Sequence, residues 1–174
     1  LAKGISSGYV PLGATAIGQK VAAMFDADNS AAGQITHGYT YSAHPVAAAA
    51  AIATFKLLRE LDIPGHVARV SPAFQQRLRS LVQRHDLVGD VRGHGLMLGI
   101  EMVADQATKA PLPKTSTIPA RVARAAYERG LMVRVSGPNL ILSPPLVISA
   151  AELDYLCDTL EAAFAQVAAE ESRA

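Results

Sequence analysis

The sequence predicts an α/β chain in two unequal parts. Residues 1–61 read as a glycine-rich piece of a larger domain, and residues 62–174 as a compact α+β unit. Three observations point there. The first 18 residues hold Gly4, Gly8, Gly13 and Gly18 with Ser6, Ser7 and Pro11, a composition for tight turns and close backbone approach rather than for a core. The only apolar runs beside them before residue 45 are two short ones, and these cannot build a two-layer core alone. From residue 62 onward, helical apolar stripes flank a region whose period shortens to that of strands.

Taken in order, Val10–Ile17 is expected to form a strand interrupted by Pro11 and Gly13. Val21–Phe25 suggests a brief helix, followed by a polar loop from Asp26 to Thr36 long enough to be functional or mobile. Pro45 opens a helix to about Leu61, because a first helical turn does not need the missing N–H. Ile52, Phe55 and Leu58 share one face of it, Lys56, Arg59 and Glu60 lie on another, and Ala47–Ala51 allows close packing. A second helix is expected from near Pro64 to about His85, with Asp62 as cap. Its stripe is Val67, Val70, Phe74, Leu78 and Leu81, with Arg69, Arg77, Arg79 and Arg84 facing away.

Val88–Arg92 and Leu96–Val103 read as strands separated by Gly93 and Gly95. Pro111–Thr117 is a proline-containing loop, and a helix follows over about Ile118–Arg129, stopped by Gly130. Leu131–Val135 and Leu140–Leu142 are short strands around the turn Ser136-Gly137-Pro138-Asn139. Ser149 and Glu152 make a capping-box pattern for the last helix, whose stripe is Leu153, Leu156, Leu160, Phe164 and Val167. No internal repeat is visible.

Composition excludes several classes of function. Half of the 174 residues are hydrophobic, enough for a core. With 16 basic against 15 acidic residues the net charge is +1, which gives no electrostatic case for a nucleic-acid partner. The single cysteine, Cys157, rules out an intrachain disulfide framework and fits a reducing compartment. The alanine run leads into Lys56, Arg59 and Glu60, so no membrane span is expected. The expected location is the cytoplasm.

Few residues carry chemistry on their own. Lys3 lies in Ala2-Lys3-Gly4-Ile5-Ser6-Ser7-Gly8-Tyr9, either as a solvated lysine or as an amine nucleophile beside small residues that let a planar cofactor approach. His37 and His44 flank the polar, aromatic stretch Gly38-Tyr39-Thr40-Tyr41-Ser42 ahead of a helix. Hydroxyls and N–H groups there suit a phosphate, or simply cap the helix. No metal site is expected from two histidines without nearby Cys or carboxylate partners. Arg134, in an otherwise apolar strand, is either a strand-edge charge or an inward clamp for a carboxylate. Arg92 is expected in an ion pair, Ser143-Pro144-Pro145 as a rigid strand exit and Cys157 in the core. Gly95–Gly99 does not form a dinucleotide fingerprint.

Four segments in order change the weight of these readings. Lys3-Gly4-Ile5-Ser6-Ser7-Gly8-Tyr9-Val10-Pro11-Leu12-Gly13-Ala14 resembles the cofactor-lysine segment of class III (omega-type) aminotransferases, of pyridoxal-phosphate fold type I. His37-Gly38-Tyr39-Thr40-Tyr41-Ser42-Ala43-His44-Pro45 resembles that family's next motif, and Val91–Glu101 its small-domain strand pair. Leu131-Met132-Val133-Arg134 and Ser143-Pro144-Pro145-Leu146-Val147-Ile148 resemble its C-terminal signature.

The resemblance implies the end of a large pyridoxal-phosphate domain over 1–61 and the small C-terminal domain over 62–174. It implies that Lys3 holds pyridoxal 5'-phosphate and shuttles the proton, and that Thr40 bonds the cofactor phosphate from the neighbouring subunit of a homodimer. Arg134 matches the mobile arginine that binds a substrate carboxylate. The implied reaction moves an amino group from an amine or amino acid donor to a keto acid, with pyruvate the expected acceptor and 2-oxoglutarate next. Ala43 departs from the glycine usual in the family. The ring-stacking aromatic, phosphate loop and pyridine-pairing aspartate lie upstream of the lysine in the family, so this chain is expected to be a C-terminal segment that binds the cofactor poorly alone. The alternatives are a non-catalytic fragment or interaction module, and class III mutase or decarboxylase chemistry on the same scaffold.

Overall fold

The computed structural model of the chain describes residues 1–26 and 37–173 and divides into Leu1–Asp62 and Ile63–Ala174. The polar loop expected over Asp26–Thr36 falls, from residue 27 onward, outside the described residues.

In the first unit a 3-10 turn over Lys3–Ser6 is followed by α1, Gln19–Asp26, and α2, Pro45–Glu60. The strand expected over Val10–Ile17 does not form. The segment makes one isolated antiparallel bridge, Ala2 to Gly13, reinforced by Ala14 N–H donating to the Leu1 carbonyl at 2.8 Å. Pro11 has no N–H to give to a ladder, and no described residues of this unit lie alongside as a second strand. Pro45 stands at the head of α2 and His44 caps it, its Nδ1 accepting from Ala47 N–H at 3.4 Å. Ala47 and Ala51 are buried, and the helix runs beside the Lys3–Ser6 turn. The face expected to be covered is largely open within this unit: Ile52 is 57% and Phe55 46% exposed.

In the second unit α3, Ile63–Arg79, and α4, Leu81–Arg84, replace the single helix expected to reach His85. The break is one residue, Ser80, whose hydroxyl donates to the Arg77 carbonyl at 2.6 Å. Such back-bonding competes with the regular helix. Then come β1 (Val88–His94), β2 (Met97–Asp105), β3 (Ala110–Pro111), α5 (Ile118–Tyr127), β4 (Arg134–Ser136), β5 (Asn139–Leu142) and α6 (Ala150–Glu171). Pro111, expected in the loop, belongs to the two-residue β3. Of the strand expected over Leu131–Val135, only its end is in β4, because Leu131 N–H still closes the end of α5 on the Ala126 carbonyl at 3.0 Å.

The sheet is antiparallel in the order β1-β2-β5-β4, with β3 also on β2. Its alternation separates two faces. Val91, Ile100 and Leu140 pair across three strands and are buried, joining Val88, Leu98, Met102 and Leu142 under the helices. Phe74, Leu78 and Leu81 meet them from α3 and α4, Val122 and Ala126 from α5, and the whole expected stripe of α6 is buried. Each such side chain larger than alanine contributes about 1.5–3 kcal/mol on burial. The Ser149–Glu152 capping box forms in both directions.

Two of the arginines expected to face away instead reach α6. Arg77 pairs with Asp154 at 2.8 Å and Asp158 at 2.5 Å, and Arg84 pairs with Glu161. Arg121 on α5 likewise pairs with Glu170 at 2.6 Å.

Candidate active site

The Lys3 turn is tightly specified. Ser7 N–H donates to the Gly4 carbonyl at 3.1 Å and Gly8 N–H to the Lys3 carbonyl at 3.2 Å. Ser6 is buried, and its hydroxyl donates to the Val10 carbonyl at 2.7 Å. Lys3 itself takes a left-handed backbone, φ 56°, uncommon for a residue with a Cβ. Such conformations persist where the surroundings hold them and gather at functional sites. The side chain is exposed, and among the described residues its amine has no hydrogen-bond or ion-pair partner. A Cβ placed at Gly4 or Gly8 would meet nothing within 4 Å, so the backbone beside Lys3 is open to close approach.

The second motif forms a turn ahead of α2. Ser42 N–H donates to the Tyr39 carbonyl at 2.9 Å, and the Ser42 hydroxyl oxygen accepts from Tyr39 N–H at 3.0 Å. Ala43 follows with φ 58°. The rings of His37 and Tyr39 meet edge to face at 4.9 Å. Thr40 is exposed on this turn. A cavity of about 960 Å³ opens in this unit, lined by Val10–Thr15, parts of the His37–His44 turn, and Val46 and Ala47 at the head of α2. The second motif and the end of the lysine segment thus meet at one cavity, but neither Lys3 nor Thr40 lines it. His44 acts as the helix cap, and no cluster of metal-binding side chains exists among the described residues.

Arg134 begins the edge strand β4, exposed, and makes no ion pair with a described residue. Arg92 is paired as expected, with Asp90 at 2.8 Å and Glu101 at 2.5 Å. The Arg92 guanidinium holds the Asp90 carboxyl below its usual range. Cys157 is buried, and burial pushes its thiol up to about 11, so it is no nucleophile at neutral pH. The left-handed backbone at Lys3 and the turn-to-helix cavity escaped the sequence reading. The one local signal for the second turn was Ala43, left-handed here at a position where the resembled family usually has glycine.

Comparison with known proteins decides the family. Residues 1–164 match the description "Aminotransferase class-III". This chain belongs to the class III aminotransferases. It is 36% identical over 156 residues to gamma-aminobutyrate transaminase 1, mitochondrial, of Oryza sativa subsp. indica, over 90% of this chain and 30% of that protein. The solved structure of an amine transaminase from an uncultivated Pseudomonas species, in a PLP-bound form, matches at 42% identity and a TM-score of 0.88, over 95% of this chain and 37% of that one. An (S)-enantioselective omega-transaminase from Thermomicrobium roseum matches at 37% identity and a TM-score of 0.84, over 95% of this chain and 36% of that one. The class III chain thus spans about a third of the length of these relatives, and its fold is that of the corresponding part of pyridoxal-phosphate-dependent transaminases. No helix among the described residues is long and apolar enough to cross a membrane.

Proposed function

We propose that this chain is the lysine-bearing C-terminal part of an aminotransferase that transfers an amino group from an amine or amino acid to a keto acid, with pyruvate as acceptor. In this reading residues 1–61 end the large cofactor domain and residues 62–174 are the small domain. The observation that carries it is Lys3, held left-handed at the head of a hydrogen-bonded turn with its amine unpaired among the described residues. The likeness to an amine transaminase supports an amine donor.

The residues present fit the two ends of pyridoxal phosphate, each in a different subunit's site: an exposed primary amine at Lys3 for one and an exposed hydroxyl at Thr40 beside a helix head for the other. When bound, that cofactor supplies the electron sink for breaking a bond at the amino-bearing carbon. The chain's own work is different. Lys3 Nζ would hold the cofactor covalently and, once freed, would take the proton from the substrate carbon and deliver it to the cofactor carbon that the lysine had held. Thr40 donates a hydrogen bond to a phosphate oxygen of the neighbouring subunit's site in a homodimer. Arg134 offers two parallel N–H groups to a substrate carboxylate.

Borohydride treatment of the complete assembly with pyridoxal phosphate, followed by peptide mapping, tests this. The label is expected on Lys3, and Lys3→Ala is expected to abolish amino transfer to pyruvate. Robust activity after Lys3→Ala, or equal labelling of Lys20, Lys56, Lys109 and Lys114, overturns the reading.

A further inference from the structure

One buried side-chain atom among the described residues has no hydrogen-bond partner: Nε2 of His85. An orphaned polar atom inside a folded protein is uncommon and calls for an explanation. The backbone of His85 is fixed on both sides. Its N–H donates to the Leu81 carbonyl at 2.9 Å, and its carbonyl accepts from Val88 N–H at 2.9 Å and from Gln106 Nε2 at 3.4 Å. The ring lies against Phe164, centroids 5.7 Å apart and planes 33° apart, and Phe164 is fully buried on α6. His85 thus fills the place where the end of α4, the start of β1 and the middle of α6 meet.

The charged groups that face the ring are Glu161 from α6, Arg84 from α4 and Asp86 from the turn into β1. Glu161 is engaged by Arg84, so the carboxylate best placed to welcome a charged imidazole is already taken. A neutral imidazole needs one donor and one acceptor contact at most, whereas the protonated ring carries an N–H on both nitrogens. At Nε2 that second N–H would point into protein with nothing to accept it.

We propose that His85 is a proton-operated latch of the second unit: the neutral ring seals the seam between α4 and α6, and protonation opens it. Burial, the largest influence, holds the imidazole below its ordinary value of 6.5, with Glu161 opposing. The unfolded chain therefore binds more protons than the folded one between the folded value and 6.5. The stability that depends on the neutral ring is complete above that interval and falls as the pH drops through it. For one proton, the folding equilibrium constant falls by up to about tenfold per pH unit inside the interval.

The test is urea unfolding of the full chain from about pH 8 down to about pH 5, with amide exchange of α4 and α6 followed in parallel and corrected for the intrinsic pH dependence of exchange. The wild-type chain is expected to lose protection in both helices on acidification. His85→Phe, which keeps a ring against Phe164 and cannot titrate, is expected to lose this step while retaining the slope due to other groups. The same acid step in His85→Phe overturns the proposal. Should that variant fail to fold, the wild-type chain decides: loss of amide protection in α4 and α6 that tracks a His85 ring-proton titration with its midpoint below 6.5 supports the latch, and protection that stays unchanged through that titration, or a midpoint at or above 6.5, overturns it.

Discussion

Arg134 and Arg92 stand on one row of the sheet, on the same open face, and only Arg92 is neutralised there. The row runs Arg134 to Ile141, Ile141 to Gly99 and Gly99 to Arg92. Three strand spacings separate the two guanidinium-bearing residues, roughly 14 Å along the row. Asp90 and Glu101 hold Arg92 from the neighbouring row, where Glu101 also faces Asn139. A structural arginine and an available one therefore share a surface, and charge alone does not distinguish them.

Substitution separates the two roles. Arg134→Ala is expected to leave the unfolding midpoint of the chain unchanged, since it breaks no ion pair with a described residue. In the complete assembly the same change should raise KM for carboxylate-bearing substrates by about 10- to 100-fold, the worth of charge-assisted hydrogen bonds, and leave amines without a carboxylate untouched. Arg92→Ala should do the reverse, lowering the unfolding midpoint slightly and leaving that discrimination intact. Steady-state kinetics with paired donors, one with and one without a carboxylate, check this. A uniform loss across both donors would assign Arg134 a structural role.

The second unit was more legible than the first because its apolar periods close on partners within the same stretch of chain. The stripe Leu153, Leu156, Leu160, Phe164 and Val167 is buried in full, and the glycine-separated strands pair as expected. In the first unit, Ile52 and Phe55 carry a readable face that the described residues leave open, and Val10–Ile17 lacks a neighbouring strand; a local period says nothing about non-local partners. The reach of Arg77 and Arg84 to α6 was legible in principle. They are seven positions apart, as are Asp154 and Glu161, so two matching charged stripes were already in the sequence. The motifs named Lys3, Thr40 and Arg134, but no motif reports a backbone angle or a cavity.

Ala43 supplies a test of the second motif. Its φ of 58° places a Cβ against the following carbonyl, which costs about 1–2 kcal/mol relative to glycine. Glycine loses more freedom on folding, about 0.4–1 kcal/mol. The difference favours Ala43→Gly by roughly 0.5–1 kcal/mol, read as a raised unfolding midpoint of the complete assembly. A lowered midpoint would mean that this turn is held by contacts of the Ala43 methyl rather than by its hydrogen bonds.

Gly93 and Gly99 make a paired test of how the β1–β2 hairpin is fixed. Gly93 has φ 148°, a region closed to side chains, and a Cβ there would collide with the Met97 carbonyl oxygen and lie 2.8 Å from Leu98 Cα. Both obstacles are backbone, and Leu98 is buried at 2% exposure, so neither can swing aside as a flexible side-chain tip would. Gly93→Ala must therefore break the Gly93–Leu98 and His94–Met97 pairing, at a cost of at least about 2 kcal/mol. At Gly99 the same methyl meets Ile141 Cδ1 at 3.8 Å and the Arg92 carbonyl at 3.9 Å, which is ordinary contact. Gly99→Ala is accordingly expected to stay within about 0.5 kcal/mol of the parent chain. Urea unfolding of the two variants side by side decides: equal losses would mean that the hairpin relaxes freely, and that the register carrying Arg92 and Arg134 onto one row is not set at Gly93.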